Sequence, residues 1–112
     1  MTHFCTSIQR HADFEICQKL PLKELIFEHQ SLSRFGELET ATLLEMLEPW
    51  KTNGGKAFLQ WDLLHDEKSF EKALEVLKKL PLEHFNAVRV QDLGAANWLR
   101  KNHSHLKLHW IV

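Results

Sequence analysis

At 112 residues, 44% hydrophobic and 26% charged, the chain has the size and balance of one soluble globular domain. Fourteen Lys and Arg against fifteen Asp and Glu leave a formal charge of −1, which removes the electrostatic argument for a nucleic-acid footprint. No apolar stretch approaches the roughly 18 residues of a membrane span, and the opening MTHFCTSIQRHADFE lacks the apolar run of a secretory leader, so no membrane partner and a cytoplasmic setting are expected.

Short apolar runs alternate with longer periodic stretches. A first strand is expected at residues 3–6, followed by a helix over 12–20 with Phe14, Ile16, Cys17 and Leu20 apolar. Residues 22–28 (LKELIFE) follow Pro21 and predict a second strand. Residues 39–51 repeat Leu43, Leu44, Leu47 and Trp50 at helical spacing and close on Asn53-Gly54-Gly55, with Pro49 expected as a late break or kink. Residues 56–61 (KAFLQW) predict a third strand. The clearest helix is 69–80, where Phe70, Ala73, Leu74, Leu77 and Leu80 share one face, Asp66 is the expected N-cap and Pro81 the stop. A fourth strand is expected at 87–91 (AVRVQ), a helix at 94–101 capped by Asp92, and a fifth strand at 106–112.

This order predicts a single α/β domain over residues 1–112, with parallel βα repeats and about five strands. Two architectures fit: a small open doubly wound sheet, or part of a (β/α)8 barrel, which needs eight strands. A phosphoacceptor receiver with Asp62 as acceptor would need an acidic pair after the first strand, where Phe4, Cys5, Thr6 and Ser7 stand. No G-x-G-x-x-G occurs, which argues against a dinucleotide fold.

Both architectures bring ligands to the C-terminal ends of parallel strands. Those ends carry residues 5–7, Glu28-His29, residues 60–62, Gln91-Asp92 and His109. A ring of Glu28, His29, Asp62, Asp92 and His109 suits proton transfer or hydrogen bonding to a polar substrate, with Asp62, Asp92 and His109 as catalytic candidates. Asp66 and Asp92 serve equally well as helix caps. Eight histidines raise the question of a metal, but His103 and His105 fall in a polar loop, and neither H-E-x-x-H nor C-x-x-C occurs, so no metal site is expected. Cys5 and Cys17, the two cysteines, are expected to stay reduced. Trp98 and Trp110 are readable either as core or as an interface.

The run Asn86-Ala87-Val88-Arg89-Val90-Gln91-Asp92-Leu93-Gly94 resembles the Asp-Ala-hydrophobic-hydrophobic-Val-Gln-Asp-Leu-Gly stretch of the collagenase-like peptidase family, peptidase U32. Trp61-Asp62-Leu63-Leu64-His65-Asp66-Glu67 is similar to that family's third strand end, where Asn usually replaces Asp62. Ser31-Leu32-Ser33-Arg34-Phe35-Gly36 is similar to its second loop, with Arg34 at the matching position, and Leu106-Lys107-Leu108-His109 to its fifth strand. The resemblance spans roughly residues 22 to 109.

The resemblance implies the first five βα units, the first half, of a TIM-type (β/α)8 barrel. Family members are described as peptidases, or act in hydroxylating RNA bases or in oxygen-independent ubiquinone synthesis, some with an iron–sulfur cluster on four cysteines. Where the family continues after His109 with a small residue and Ser-Thr-Gln, this chain has Trp110, Ile111 and Val112. Cys5 and Cys17 match none of the cluster cysteines, so no cofactor is expected in this segment; a cluster would belong to longer members. Gly36 and Gly94 match as turn residues, and Glu28, His29, Arg34 and Gln91 are the ligand-binding candidates.

The expected function is thus that of an N-terminal half-barrel segment, not catalytic alone, completed by the rest of a barrel or by a second copy. The alternative is a non-catalytic module that self-associates through open sheet edges. RNA binding through Lys51, Lys56, Arg89, Arg100, Lys101 and Lys107 gains no support from the overall charge.

Overall fold

The computed structural model describes residues 5–63 and 66–111. Its elements run β1 (Cys5–Ile8), α1 (His11–Cys17), β2 (Glu24–Phe27), α2 (Thr40–Thr52), β3 (Lys56–Trp61), α3 (Glu67–Lys79), a 3-10 turn (Leu82–His84), β4 (Ala87–Val90), α4 (Leu93–Asn102) and β5 (Leu108–Trp110). All four strand pairings are parallel, and the strands lie side by side in chain order.

That order decides between the two architectures. A doubly wound sheet reverses direction at a switch point, which places helices on both faces. Here every crossover steps one strand the same way, and right-handed crossovers then put every helix on one face. The packing agrees, with α1 against β1, α2 against β3 and α4 against β4. The sheet is wound as in a barrel, consistent with half of a TIM-type (β/α)8 fold.

The helix-covered face takes one of each two strand residues: Ile8, Leu25, Phe27, Ala57, Leu59, Trp61, Val88 and Val90 all join the main core. Trp61 stacks on Phe70 of α3 with centroids 6.0 Å apart and meets Trp98 of α4 edge-on at 6.4 Å. Trp98 therefore packs, partly buried, against the core, whereas Trp110 is 47% exposed. The opposite face carries Glu24, Ile26, Phe58, Gln60, Ala87, Arg89 and His109. Ile26 and Ala87 are buried there, outside the main core.

The predicted helices and strands are all present, with shifted ends. The first strand is Cys5–Ile8 rather than 3–6, and residues 3 and 4 lie outside the described ones; Ile8 supplies the fully buried side chain that anchors it. The fifth strand is three residues long, although Lys107 O and Ile111 N still bond to Val88 and Val90. Pro49 does not break α2. Helix hydrogen bonding continues past it, with Asn53 N donating to Pro49 O, and Trp50 is pinned by its indole N–H to Lys56 O at 2.8 Å. Asp66 and Asp92 are N-caps, accepting from Ser69 N and Ala95 N. Among the described residues no helix is long and apolar enough to cross a membrane.

Candidate functional site at the C-terminal mouth of the sheet

Five polar side chains are buried among the described residues: Glu28, His29, Ser33, Gln60 and Asp62. All belong to the ends of β2 and β3 or to the loop between β2 and α2. Burying polar groups costs free energy unless each finds a partner, and here every buried side-chain N and O among the described residues has one. That concentration at one end of the sheet makes this end the candidate site.

The loop from Glu28 to Leu38 is folded down over the mouth. His29 and Leu38 form a parallel bridge, with Gln30 N donating to Leu38 O at 2.9 Å. Leu32, fully buried, offers its carbonyl to both Asp62 N and Leu63 N at 3.1 Å. Glu37 N reaches Gln9 O at 2.9 Å, and the exposed pair Arg10–Glu37 lies alongside at 3.4 Å. Gly36 passes directly over the β2 end: a Cβ there would sit 2.4 Å from Glu28 O and 2.7 Å from His29 O. Only glycine permits that approach. Gly94 differs from the turn role expected of it: it lies in the first turn of α4, where a Cβ would meet just the Asp92 carboxylate at 2.9 Å.

Two carboxylates hold this arrangement. Glu28 accepts from the Ser33 hydroxyl on one oxygen and from Gln9 Nε2 at 3.0 Å on the other. Asp62 accepts from Arg34 N at 2.9 Å and from Gln60 Nε2 at 3.2 Å. The Arg34 guanidinium, 55% exposed, stands 4.0 Å from Asp62, so its main tie to the site is the backbone N–H. Gln60 then accepts from Arg89 Nη1 at 3.0 Å. The outcome is a relay from Asp62 through Gln60 to Arg89.

His29 is a pin of a different kind. Its Nδ1 accepts from Ser31 N and its Nε2 faces Thr40 Oγ1, both at 2.9 Å, which assigns the proton to Nε2. Burial pushes its pKa down, and nearby Glu39 offsets part of that shift. It is held neutral, tying the loop to the start of α2.

Of the residues expected from sequence, the structure thus brings Glu28, His29, Arg34 and Asp62 together. His109 stands on the inner face beside Arg89, its ring 5.5 Å from Phe58. Gln91 and Asp92 are exposed at the rim, and Asp92 is occupied as a cap. Gln9 and Ser33 were not among the expected site residues, while Gln60 was named only as part of a strand end and Arg89 only as an RNA contact. Gln60 and Arg89 had a legible signal: each is a polar residue at an inward position of an otherwise apolar strand.

Among the described residues, no three His, Cys, Asp or Glu side chains converge to hold a metal ion. The four-thiolate cluster of some U32-type proteins does not fit this chain, which has two cysteines, with Cys17 buried in the helix-side core.

A singly wound βα sheet with a polar, loop-covered C-terminal mouth defines the class: a barrel-type α/β protein whose candidate site lies at the top of the strands. The model of peptidase family U32 matches residues 29–112, three quarters of the chain, and the chain belongs to that family. The matched region begins at the loop that closes the mouth. No curated protein and no solved structure matches the chain.

Proposed function

We propose that the chain acts as the N-terminal half-barrel segment of a U32-type protein, forming one wall of a substrate site and not catalytic by itself. The observation that carries this is the inner sheet face. It presents Glu24, Gln60, Arg89 and His109 on strands wound for a barrel, and the cavity on that side is lined by strand residues. Asp62 and Glu28 spend their oxygens on loop and side-chain donors, so in this arrangement they position rather than act as a free general base. The catalytic candidates Asp62, Asp92 and His109 become active, in this reading, only when a second wall completes the mouth. The reading places the chain in the cytoplasm, where the buried Cys17 thiol stays reduced.

The purified chain is expected to leave a casein-type substrate uncut. Turnover that disappears in Asp62→Ala or Asp92→Ala would overturn the proposal.

A second reading, self-association without catalysis, is favoured by apolar side chains beside both open edges. Ile16 and Leu20 are 61% and 50% exposed next to β1, and Trp110 is 47% exposed on β5. Light scattering on a sizing column separates the readings: a compact dimer supports edge-covering self-association, and a monomer that binds hydrophobic dye supports a wall awaiting its complement.

A further inference from the structure

Arg89 is a cation on the inner face with no carboxylate in ion-pair range among the described residues. Its one hydrogen bond there, to Gln60 Oε1, tethers one end of the guanidinium and leaves its other N–H donors without a partner among the described residues. The tether is itself braced, since Gln60 is oriented by Asp62 and Asp62 by the backbone of Arg34. His109 lies in register with Arg89 on the next strand, about 4.8 Å away. Gln60, Arg89 and His109 are each the penultimate residue of their strand, so they form the inner layer nearest the mouth. That layer of a barrel meets ligand, whereas deeper layers fill with packed side chains.

A cavity of about 300 Å³ opens beside them, lined by Glu24, Ile26, Phe58, Arg89 and His109. The size is at the lower end for a small-molecule site. Its floor is apolar, with the Phe58 ring tilted 31° to His109; the small Ala87, in register with Phe58, leaves the two rings room to meet across β4. Glu24 sits at the opposite end, four residues down the register, about 13 Å along the strands.

We propose that this cavity binds a small planar monocarboxylate, its carboxylate on the Arg89 guanidinium and His109, its body on Phe58 and Ile26. A braced guanidinium matches a carboxylate with two parallel N–H bonds, which a point charge does not. Glu24 selects against a second anionic group at the far end of the ligand. The proposal deepens the half-barrel reading, because it rests on the inner face being a ligand-facing wall.

Benzoate, benzamide and terephthalate test it by two-dimensional NMR titration of the isotopically labelled chain. Benzoate is expected to give saturable shifts at Phe58, Arg89 and His109. Benzamide, which lacks the charge, is expected to bind tenfold or more weakly, and terephthalate to bind more weakly than benzoate until Glu24→Gln removes the opposing carboxylate. Arg89→Gln is expected to abolish benzoate binding while keeping the amide dispersion of the folded chain, and Arg89→Lys to restore it only in part. Equal binding of benzamide, unchanged binding by Arg89→Gln, or no saturable benzoate shift overturns the proposal. Benzoate binding in a chain that also cleaves casein would leave the site standing and sink the half-barrel reading; the reverse pattern sinks the site alone.

Discussion

The two faces of one sheet are built from the same strands and obey different rules. Toward the helices, Leu25, Phe27, Leu59, Trp61, Val88 and Val90 are at most 1% exposed and locked into aromatic and aliphatic packing. One residue along each strand, the other face carries Phe58, Arg89 and His109, all half-buried, with a polar relay through Gln60 beside the buried Ile26 and Ala87. Packing is therefore concentrated on the helix side, and polar hydrogen bonding on the other. A barrel separates them by the same alternation, because its outer face is packed and its inner face is presented.

The contrast is broken most directly by truncating one aromatic on each face. Trp61→Ala removes a side chain 1% exposed, stacked on Phe70 and met edge-on by Trp98, and is expected to cost about 3–5 kcal/mol. Phe58→Ala, on the half-buried side, is expected to cost about 1 kcal/mol from lost apolar area. Urea unfolding of both variants checks the difference; equal losses would mean that the inner face is a second core.

The loop over the mouth supplies the next test. Gly36→Ala forces a methyl group into the Glu28 and His29 carbonyls, which are backbone and cannot rotate away, at an expected cost of about 1–3 kcal/mol. Gly94→Ala meets only the Asp92 side chain, and its helix-propensity gain of about 1 kcal/mol roughly offsets a disturbed cap. Thermal unfolding of the pair is expected to show a lowered midpoint for Gly36→Ala alone.

How much of this was legible follows from the physics of each part. Helices α2 and α3 carry long apolar periodicity and cap signals, so their place was readable, and the caps Asp66 and Asp92 were readable from residue type alone. Strand ends were less so, because among the described residues β1 and β5 each border a single strand, and their limits depend on which backbone groups find a partner. At the site, Glu28, His29 and Asp62 were visible as polar residues closing apolar strands. Ser33 and Gln9 were not, since their roles arise only when the loop folds back on β1 and β3. Pro49 misled for the same reason: losing one N–H near the end of α2 matters little when Trp50 anchors the last turn.

The smallest expected effect is a pH dependence confined to the mouth. His29 is a base whose folded-state pKa is pushed below its ordinary value of about 6.5 by burial, Glu39 offsetting part of it. The unfolded chain therefore binds a proton at His29 before the folded chain does, and stability rises with pH across that interval. The contribution is fully present above about pH 6.5 and is lost as pH falls below it toward the folded-state value. Protonation also removes the Nδ1 lone pair that accepts from Ser31 N, so the loss is expected to appear first as faster amide exchange at Ser31. Unfolding midpoints measured at pH 7.5 and 5.5 are expected to differ more in the parent chain than in His29→Gln, whose side chain is uncharged at both. An unchanged difference in His29→Gln would assign the pH dependence to another group and leave His29 as a purely geometric pin.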